Sequence, residues 1–209
     1  FYRSSRHLSD YIRYVITEKG ESAWIAQRNG RTKDGNDVTD QGIIKMFCMS
    51  CAEDKINAID DLHIVPIAVS YEWEPCDVLK TLELYESQFS KYTKKPGEDL
   101  NSILTGIVQE KGRVHFELCE PLSYAELSKF DGLTNNDYHK QVARLIDRRI
   151  HAAYRLYPNN YIAYDLRYGT TKYKHCYTVA EKEAFLKRLQ MLEQYDTCDI
   201  DKLKDIFLG

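Results

Sequence analysis

The chain has 209 residues, with 29 basic and 32 acidic side chains and a net charge of −3. Apolar residues make up 43% and charged residues 29% of the sequence, an ordinary globular composition that excludes a disordered chain. The slightly acidic balance argues against general electrostatic attraction to nucleic acid, so no nucleic-acid partner is expected. The longest apolar run falls well short of the roughly 18 residues that a membrane-spanning helix needs.

Hydrophobic spacing predicts alternating helices and strands in the first part of the chain. A helix over residues 4–18 is followed by a short buried strand at 22–26, a polar loop and a second helix over about 38–52. The clearest strand is expected at 62–71. Pro66 interrupts that strand, and because proline has no N–H to donate to a ladder, it marks an edge, a bulge or a functional bend.

The rest of the chain is predicted to be mainly helical. One further strand is expected at 113–118, where apolar and polar side chains alternate. Helices are expected over about 76–93, 98–110, 137–156, 178–195 and 200–208, with a capping box at Ser123 and Glu126 for one more short helix.

Strands separated by helices are typical of α/β proteins. We therefore expect a mostly parallel sheet flanked by helices over residues 1–133, followed by a helical, tyrosine-rich extension over 134–209. Three strands are few for such a sheet, so the missing strands are expected upstream of Phe1.

The most informative segment is the polar loop after the strand at 22–26, where three cations lie within six residues. Arginine binds phosphate through paired hydrogen bonds, glycine lets a backbone approach a ligand closely, and ligands of open α/β sheets bind beyond the strand ends. The segment therefore predicts a phosphate or anion site, with a solvated loop of accidental charge as the alternative. The candidate residues are Arg28, Gly30, Arg31, Thr32 and Lys33.

Of the six cysteines, Cys48 and Cys51 form the one closely spaced pair. They end an apolar helical pattern, which predicts buried thiols in a reducing compartment. A metal or redox site is the alternative, but a zinc site would need two more ligands at short spacing, so no metal is expected.

Two sequence blocks carry a family resemblance. Ile64-Val65-Pro66-Ile67 matches an apolar strand with a Val-Pro-Ile core, and Asn29-Gly30-Arg31-Thr32, after the predicted strand, is similar to a Glu-Gly-x-Arg-Ser block with Asn in place of Glu and one residue fewer. Over about residues 1–130 the chain thereby resembles the glycerolipid acyltransferases, the lysophosphatidate and glycerol-3-phosphate acyltransferase family.

The resemblance implies transfer of a fatty acyl group to the hydroxyl of a phosphorylated glycerol acceptor in phospholipid biosynthesis. The donor would be an acyl-CoA or acyl carrier protein thioester, without a resident cofactor. The five loop residues would bind the acceptor phosphate, and Val65 and Pro66 would shape the site wall or the acyl channel.

The resemblance also implies a catalytic His-x4-Asp pair, in which the histidine is the general base and the carboxylate orients it. None of the six histidines has aspartate five residues later, so no catalytic residue is assigned within the chain. The pair is expected upstream of Phe1, and these 209 residues alone are expected to be inactive.

The competing hypothesis is a non-catalytic anion-binding or interaction module with an acyltransferase-like fold. We expect a cytoplasmic protein, with peripheral contact at the inner face of the membrane as an alternative. That alternative rests on the tyrosines of residues 154–177 and their interleaved cations, which otherwise predict an aromatic helical cap.

Overall fold

The structure is a computed structural model that describes residues 2–28, 30, 32, 36–195 and 198–209. The chain forms two compact units, each made of two stretches of sequence. Unit 1 comprises Phe1–Ala68 and Phe116–Tyr154, and unit 2 comprises Val69–His115 and Arg155–Gly209. The proposed division at residue 133 between a core and an extension stays a prediction.

Helices dominate the described residues. In chain order they are α1 (Tyr2–Thr17), α2 (Gln41–Phe47), α3 (Lys55–Asp60), α4 (Asp77–Ser87), α5 (Glu98–Val108), α6 (Tyr124–Leu127), α7 (Asn135–Ala153), α8 (Pro158–Arg167), α9 (Val179–Gln190) and α10 (Ile200–Leu208). Short 3-10 turns occur at Cys48–Cys51, Ser128–Phe130, Lys174–Cys176 and Met191–Gln194. The strands are β1 (Ile67–Tyr71) and β2 (Val114–Leu118). Within the described ranges, no helix is both long and apolar enough to cross a membrane.

Unit 1 has an extensive apolar core. Local capping sets its helix starts: the Asp40 carboxylate accepts the Gly42 N–H at α2, and Asp54 accepts from Ile56 and Asn57 at α3. The buried cluster consists of Ile12, Ile44, Phe47, Cys48, Ile56, Ala58, Ile59, Leu62, Leu122, Leu127, Tyr138, Val142, Ala143, Leu145 and Ile146. These residues come from every helix of the unit, so the cluster joins all of them.

Unit 2 has a smaller buried core, centred on Leu189, Leu192 and Leu203. Half-buried side chains of α4, α9 and α10 surround it. At α9, the Thr178 side chain accepts the Glu181 N–H while the Glu181 carboxylate accepts from the Thr178 backbone, so both ends of a capping box are present.

The two strands form an antiparallel pair. The Pro66 carbonyl accepts from Cys119 N (2.9 Å), and Glu72 N donates to the Arg113 carbonyl (2.9 Å). Pro66 precedes β1 and bonds a residue after β2, whereas Glu72 follows β1 and bonds a residue before β2. This pairing in opposite directions shows that the strands are antiparallel.

The predicted fold class, a mostly parallel α/β sheet flanked by helices, is wrong. The described residues are mainly helical and contain a sheet of two antiparallel strands. Residues 22–26, predicted as a buried strand, form no ladder and are exposed. The chain from β1 to β2 runs through two helices, α4 and α5. A single helix between two strands carries the chain back to the end where the first strand began, so the second strand pairs in parallel. Two helices, one after the other, can bring the chain back to the end where the first strand finished, so the second strand pairs antiparallel.

Candidate functional site

Residues 27–40, named the cationic loop here, are closed at their base by backbone and side-chain bonds. Asp40 N donates to the Gln27 carbonyl (2.8 Å). The Thr39 N–H and hydroxyl both donate to Asp147 Oδ1 on α7, at 2.8 and 2.6 Å. Thr39 and Asp147 are buried, so the carboxylate holds the end of the loop in a site that water does not reach freely.

Two further contacts orient the first arginine of the loop. Arg28 Nη1 lies 3.4 Å from Asp37 Oδ1, and the Arg28 side chain is about one third exposed. His151 Nε2, on α7, lies 3.2 Å from the Asp37 carbonyl oxygen, so this ring nitrogen donates the hydrogen bond. The Asp37 side chain thus contacts the Arg28 guanidinium, while His151 of α7 binds the backbone carbonyl of Asp37.

Gly30, the fourth residue of the loop, has φ +75°, a left-handed conformation that side chains with a Cβ rarely adopt. A Cβ placed there would meet no atom of the described residues within 4 Å, and the left-handed backbone conformation explains the glycine. Thr32 is half-buried. Arg31 and Lys33, the other two predicted cations, lie outside the described residues.

The structure places Val65 and Pro66 just before β1, on a different segment of unit 1 from the loop. The carbonyls of Ile64 and Pro66 accept from Leu122 N and Cys119 N, each at 2.9 Å. Pro66 is buried and Val65 is exposed. The proline therefore lies at the start of a strand, where its carbonyl accepts a ladder hydrogen bond. Proline is tolerated at this position because no N–H is needed there.

An exposed aromatic pair lies directly before the cationic loop. Trp24 is 71% exposed and stacks on Phe116 of β2, with ring centroids 6.3 Å apart. Leu118, two residues along β2, and Ile25 are exposed too. Unit 1 thus presents an apolar surface three residues from the start of the loop.

The cysteine pair is held in different environments. Cys48 is buried, and burial raises the pKa of its thiol to about 12, whereas Cys51 is half-buried. Because the thiolate is the reactive and metal-binding form, this shift disfavours redox or metal chemistry at Cys48. Among the described residues, no group of three or more His, Cys, Asp or Glu side chains could hold a metal ion.

A second cationic group of unit 1, Arg13 of α1, is engaged in holding helices together. Its guanidinium donates to Asp61 Oδ2 (2.8 Å), the Ala58 carbonyl (2.8 Å) and Ser50 Oγ (3.0 Å). Arg13 borders a shallow depression of about 580 Å³ that His63 also lines. His63 has a left-handed backbone conformation, with φ +46°, at the end of the turn after α3. With three protein partners, Arg13 is a structural residue.

The sequence did not reveal Thr39, Asp147 or His151 as supports of the loop. Asp147 lies 108 residues from Thr39 in the sequence. No local pattern predicts that it bonds the loop, because it is one acidic residue on a helix that is recognised in the sequence by its apolar face.

Comparisons of the chain with models of known families, with curated proteins and with solved structures find no match.

Proposed function

We propose that this chain takes part in the transfer of a fatty acyl group from an acyl thioester to a phosphorylated glycerol acceptor. In this proposal, the cationic loop binds the acceptor phosphate. The observation that carries it is the loop itself: it is closed at its base by buried bonds from Thr39 and contains Arg28, Arg31 and Lys33. Anchoring of the loop ends lowers the entropic cost of ordering Arg28 around a bound anion, compared with a free segment.

The surface beside the loop supports an amphipathic substrate. The stacked rings of Trp24 and Phe116 are exposed, and Trp24 lies three residues before the first residue of the loop, within the same unit. A phosphorylated lipid has an anionic group linked to an apolar chain, which matches a cationic loop beside an apolar surface. We therefore assign the acyl chain to Trp24 and Phe116 and the phosphate to the loop.

The test is substitution of Arg31, with glycerol 3-phosphate as the acceptor and the protein expressed from its natural gene. Loss of a charge-assisted phosphate contact typically corresponds to about a tenfold or larger loss of affinity. Arg31→Ala should therefore raise the acceptor KM, and the Kd of the chain for glycerol 3-phosphate, by about that factor. Arg6→Ala is the matched control, since Arg6 is an exposed cation of the same unit outside the loop.

An unchanged KM or Kd in Arg31→Ala would overturn the assignment of the loop.

The second hypothesis, a non-catalytic anion-binding module, is favoured by one observation, the lack of a His-x4-Asp pair in these 209 residues. The two hypotheses separate in one assay: a module binds glycerol 3-phosphate through the loop but transfers no labelled acyl group from acyl-CoA.

A further inference from the structure

Helix α5 of unit 2 is oriented with its apolar face outward. Its five large apolar residues recur at helical spacing, so they share one face, and each is between 52% and 74% exposed. They are Leu100, Ile103, Leu104, Ile107 and Val108. None of the residues of α5 is buried.

The opposite face of α5 is polar and lies closer to the rest of unit 2. Glu98, Ser102, Thr105 and Gly106 are half-buried. A surface helix of a globular protein ordinarily buries its apolar stripe and exposes its polar one. The reversed arrangement of α5 leaves an apolar surface on the order of 500 Å², which is large for a surface that faces only water.

Lysines precede this helix. Lys91, Lys94 and Lys95 are exposed in the loop before α5. Lys94 Nζ binds Asp99 at 2.6 Å and Lys95 Nζ lies 4.0 Å from Glu86, both as surface pairs with largely exposed side chains. Surface pairs of this kind contribute little and exchange readily for another anion.

We propose that α5 docks unit 2 on an anionic lipid bilayer. The five apolar side chains would enter the boundary between headgroups and acyl chains, and the three lysines would contact anionic headgroups. Helices that lie in the membrane plane combine an apolar stripe with cations at headgroup level. In this chain the cations lie in the loop before α5, and the helix itself carries Glu98 and Asp99 in its first turn. The docking element belongs to unit 2 and does not depend on the function proposed for the cationic loop.

The exposed area argues against a second copy of the chain as the occupant. A stable dimer buries about 800 Å² on each partner, more than the apolar face of this one 11-residue helix offers. A bilayer needs no complementary shape, and its anionic headgroups match the lysines in charge.

The test is co-flotation of the protein with vesicles of phosphatidylcholine, alone or mixed with phosphatidylglycerol. We expect stronger binding to the mixed vesicles. Ile107→Glu should weaken that binding about tenfold or more, because it places a charge in the centre of the apolar face. Val179→Glu is the matched control, since Val179 is equally exposed in the same unit and lies in the first turn of α9, where a carboxylate is tolerated.

A triple variant, Lys91→Gln, Lys94→Gln and Lys95→Gln, tests the charge contribution. It should lose about tenfold or more in binding to the mixed vesicles and little in binding to phosphatidylcholine alone. Equal binding by the wild type and Ile107→Glu would overturn the proposal. So would a concentration-dependent dimer, seen by sedimentation, that Ile107→Glu dissociates while vesicle binding is absent. Neither result bears on glycerol 3-phosphate binding, which is measured without lipid.

Discussion

Units 1 and 2 are similar in size but are stabilised in different ways. Among the described residues, the apolar cluster of unit 1 contains fifteen buried side chains, and that of unit 2 contains three, surrounded by half-buried ones. Four more apolar side chains of unit 2 are buried outside that cluster: Cys76, Tyr157, Ile162 and Phe185. Unit 2 relies more on polar and aromatic contacts: Arg188 forms a two-bond ion pair with Asp77 and lies over the ring of Trp73, which stacks on Phe185.

The comparison also extends to their surfaces. Unit 1 uses its longest helices to enclose a core and exposes the Trp24 and Phe116 pair beside the cationic loop. Unit 2 leaves an entire apolar helix face, that of α5, outside its core. A helix that does not enclose a core adds little to stability, so we expect unit 2 to be the less stable unit and the one more sensitive to loss of ion pairs.

Deletion of a core side chain should give the largest effect and tests the difference in core size. Ile59→Ala in unit 1 should lower the free energy of unfolding by about 4 kcal/mol, because Ile59 is fully buried in a cluster of buried side chains. Leu203→Ala in unit 2 should cost about 2 kcal/mol, because half-buried neighbours can move into the space.

Hydrogen exchange of peptides from α3 and α10 measures the two losses separately. The exchange of peptides from the unsubstituted unit serves as the internal control in each variant. Equal losses would show that the core of unit 2 is as closely packed as that of unit 1.

Removal of the Arg188–Asp77 pair should have an intermediate effect. Both side chains are less than one fifth exposed, so Arg188→Gln leaves a shielded carboxylate without its strongest partner. We expect a loss of about 2 kcal/mol in the stability of unit 2. The two tryptophans of the chain lie in different units, so Trp24→Phe leaves the fluorescence of Trp73 to monitor unit 2.

Arg6→Gln provides the control for this substitution. Arg6 pairs with Asp10 on the exposed side of α1, with both side chains nearly half exposed, and its loss should cost less than about 0.5 kcal/mol. A loss in Arg188→Gln as small as that in Arg6→Gln would contradict the role assigned to polar contacts in unit 2.

The smallest effect is expected from acid. Asp165 is buried, and burial would raise the pKa of its carboxyl, but hydrogen bonds from Thr170, Tyr177 and the Tyr173 backbone outweigh burial and lower that pKa. A lowered folded-state pKa adds stability that is present above the ordinary value of 3.8 and is lost as the pH falls through the lowered value. The segment 170–177 should therefore loosen below about pH 4.

Amide exchange of residues 170–177 between pH 6 and pH 2.5 measures this change at about room temperature, corrected for intrinsic exchange rates. In Asp165→Asn, which cannot titrate, the acid-dependent part of the change should disappear. Persistence of that part in the variant would place the acid-sensitive group elsewhere in unit 2.

Much of the helical structure could be predicted because its signals are local. The capping box at Ser123 and the apolar periodicity of α10 each lie within one or two turns of the helix they define. Helix α3 was missed because its six residues are too few to show a period. Helix α8 lies in the predicted helical extension but was given no bounds, because its short, mostly apolar run fits a helix or a strand.

The candidate site was predictable in composition but not in geometry. Arg28 and Gly30 were proposed as site residues from their residue types, and that proposal stays a prediction. The left-handed φ of Gly30 explains the glycine by its backbone conformation. The anchoring by Asp147 and His151 joins segments more than a hundred residues apart, and no local pattern encodes such a contact.

The sequence by itself determined where most helices begin and end, since capping and periodicity act over a few residues. It also identified the cationic loop by its residue types. Tertiary structure decided the antiparallel direction of β2, the bonds that close the loop, and the outward orientation of the apolar face of α5. These features depend on which distant segments pack together, and burial against a partner elsewhere in the chain is not encoded in any local stretch of sequence.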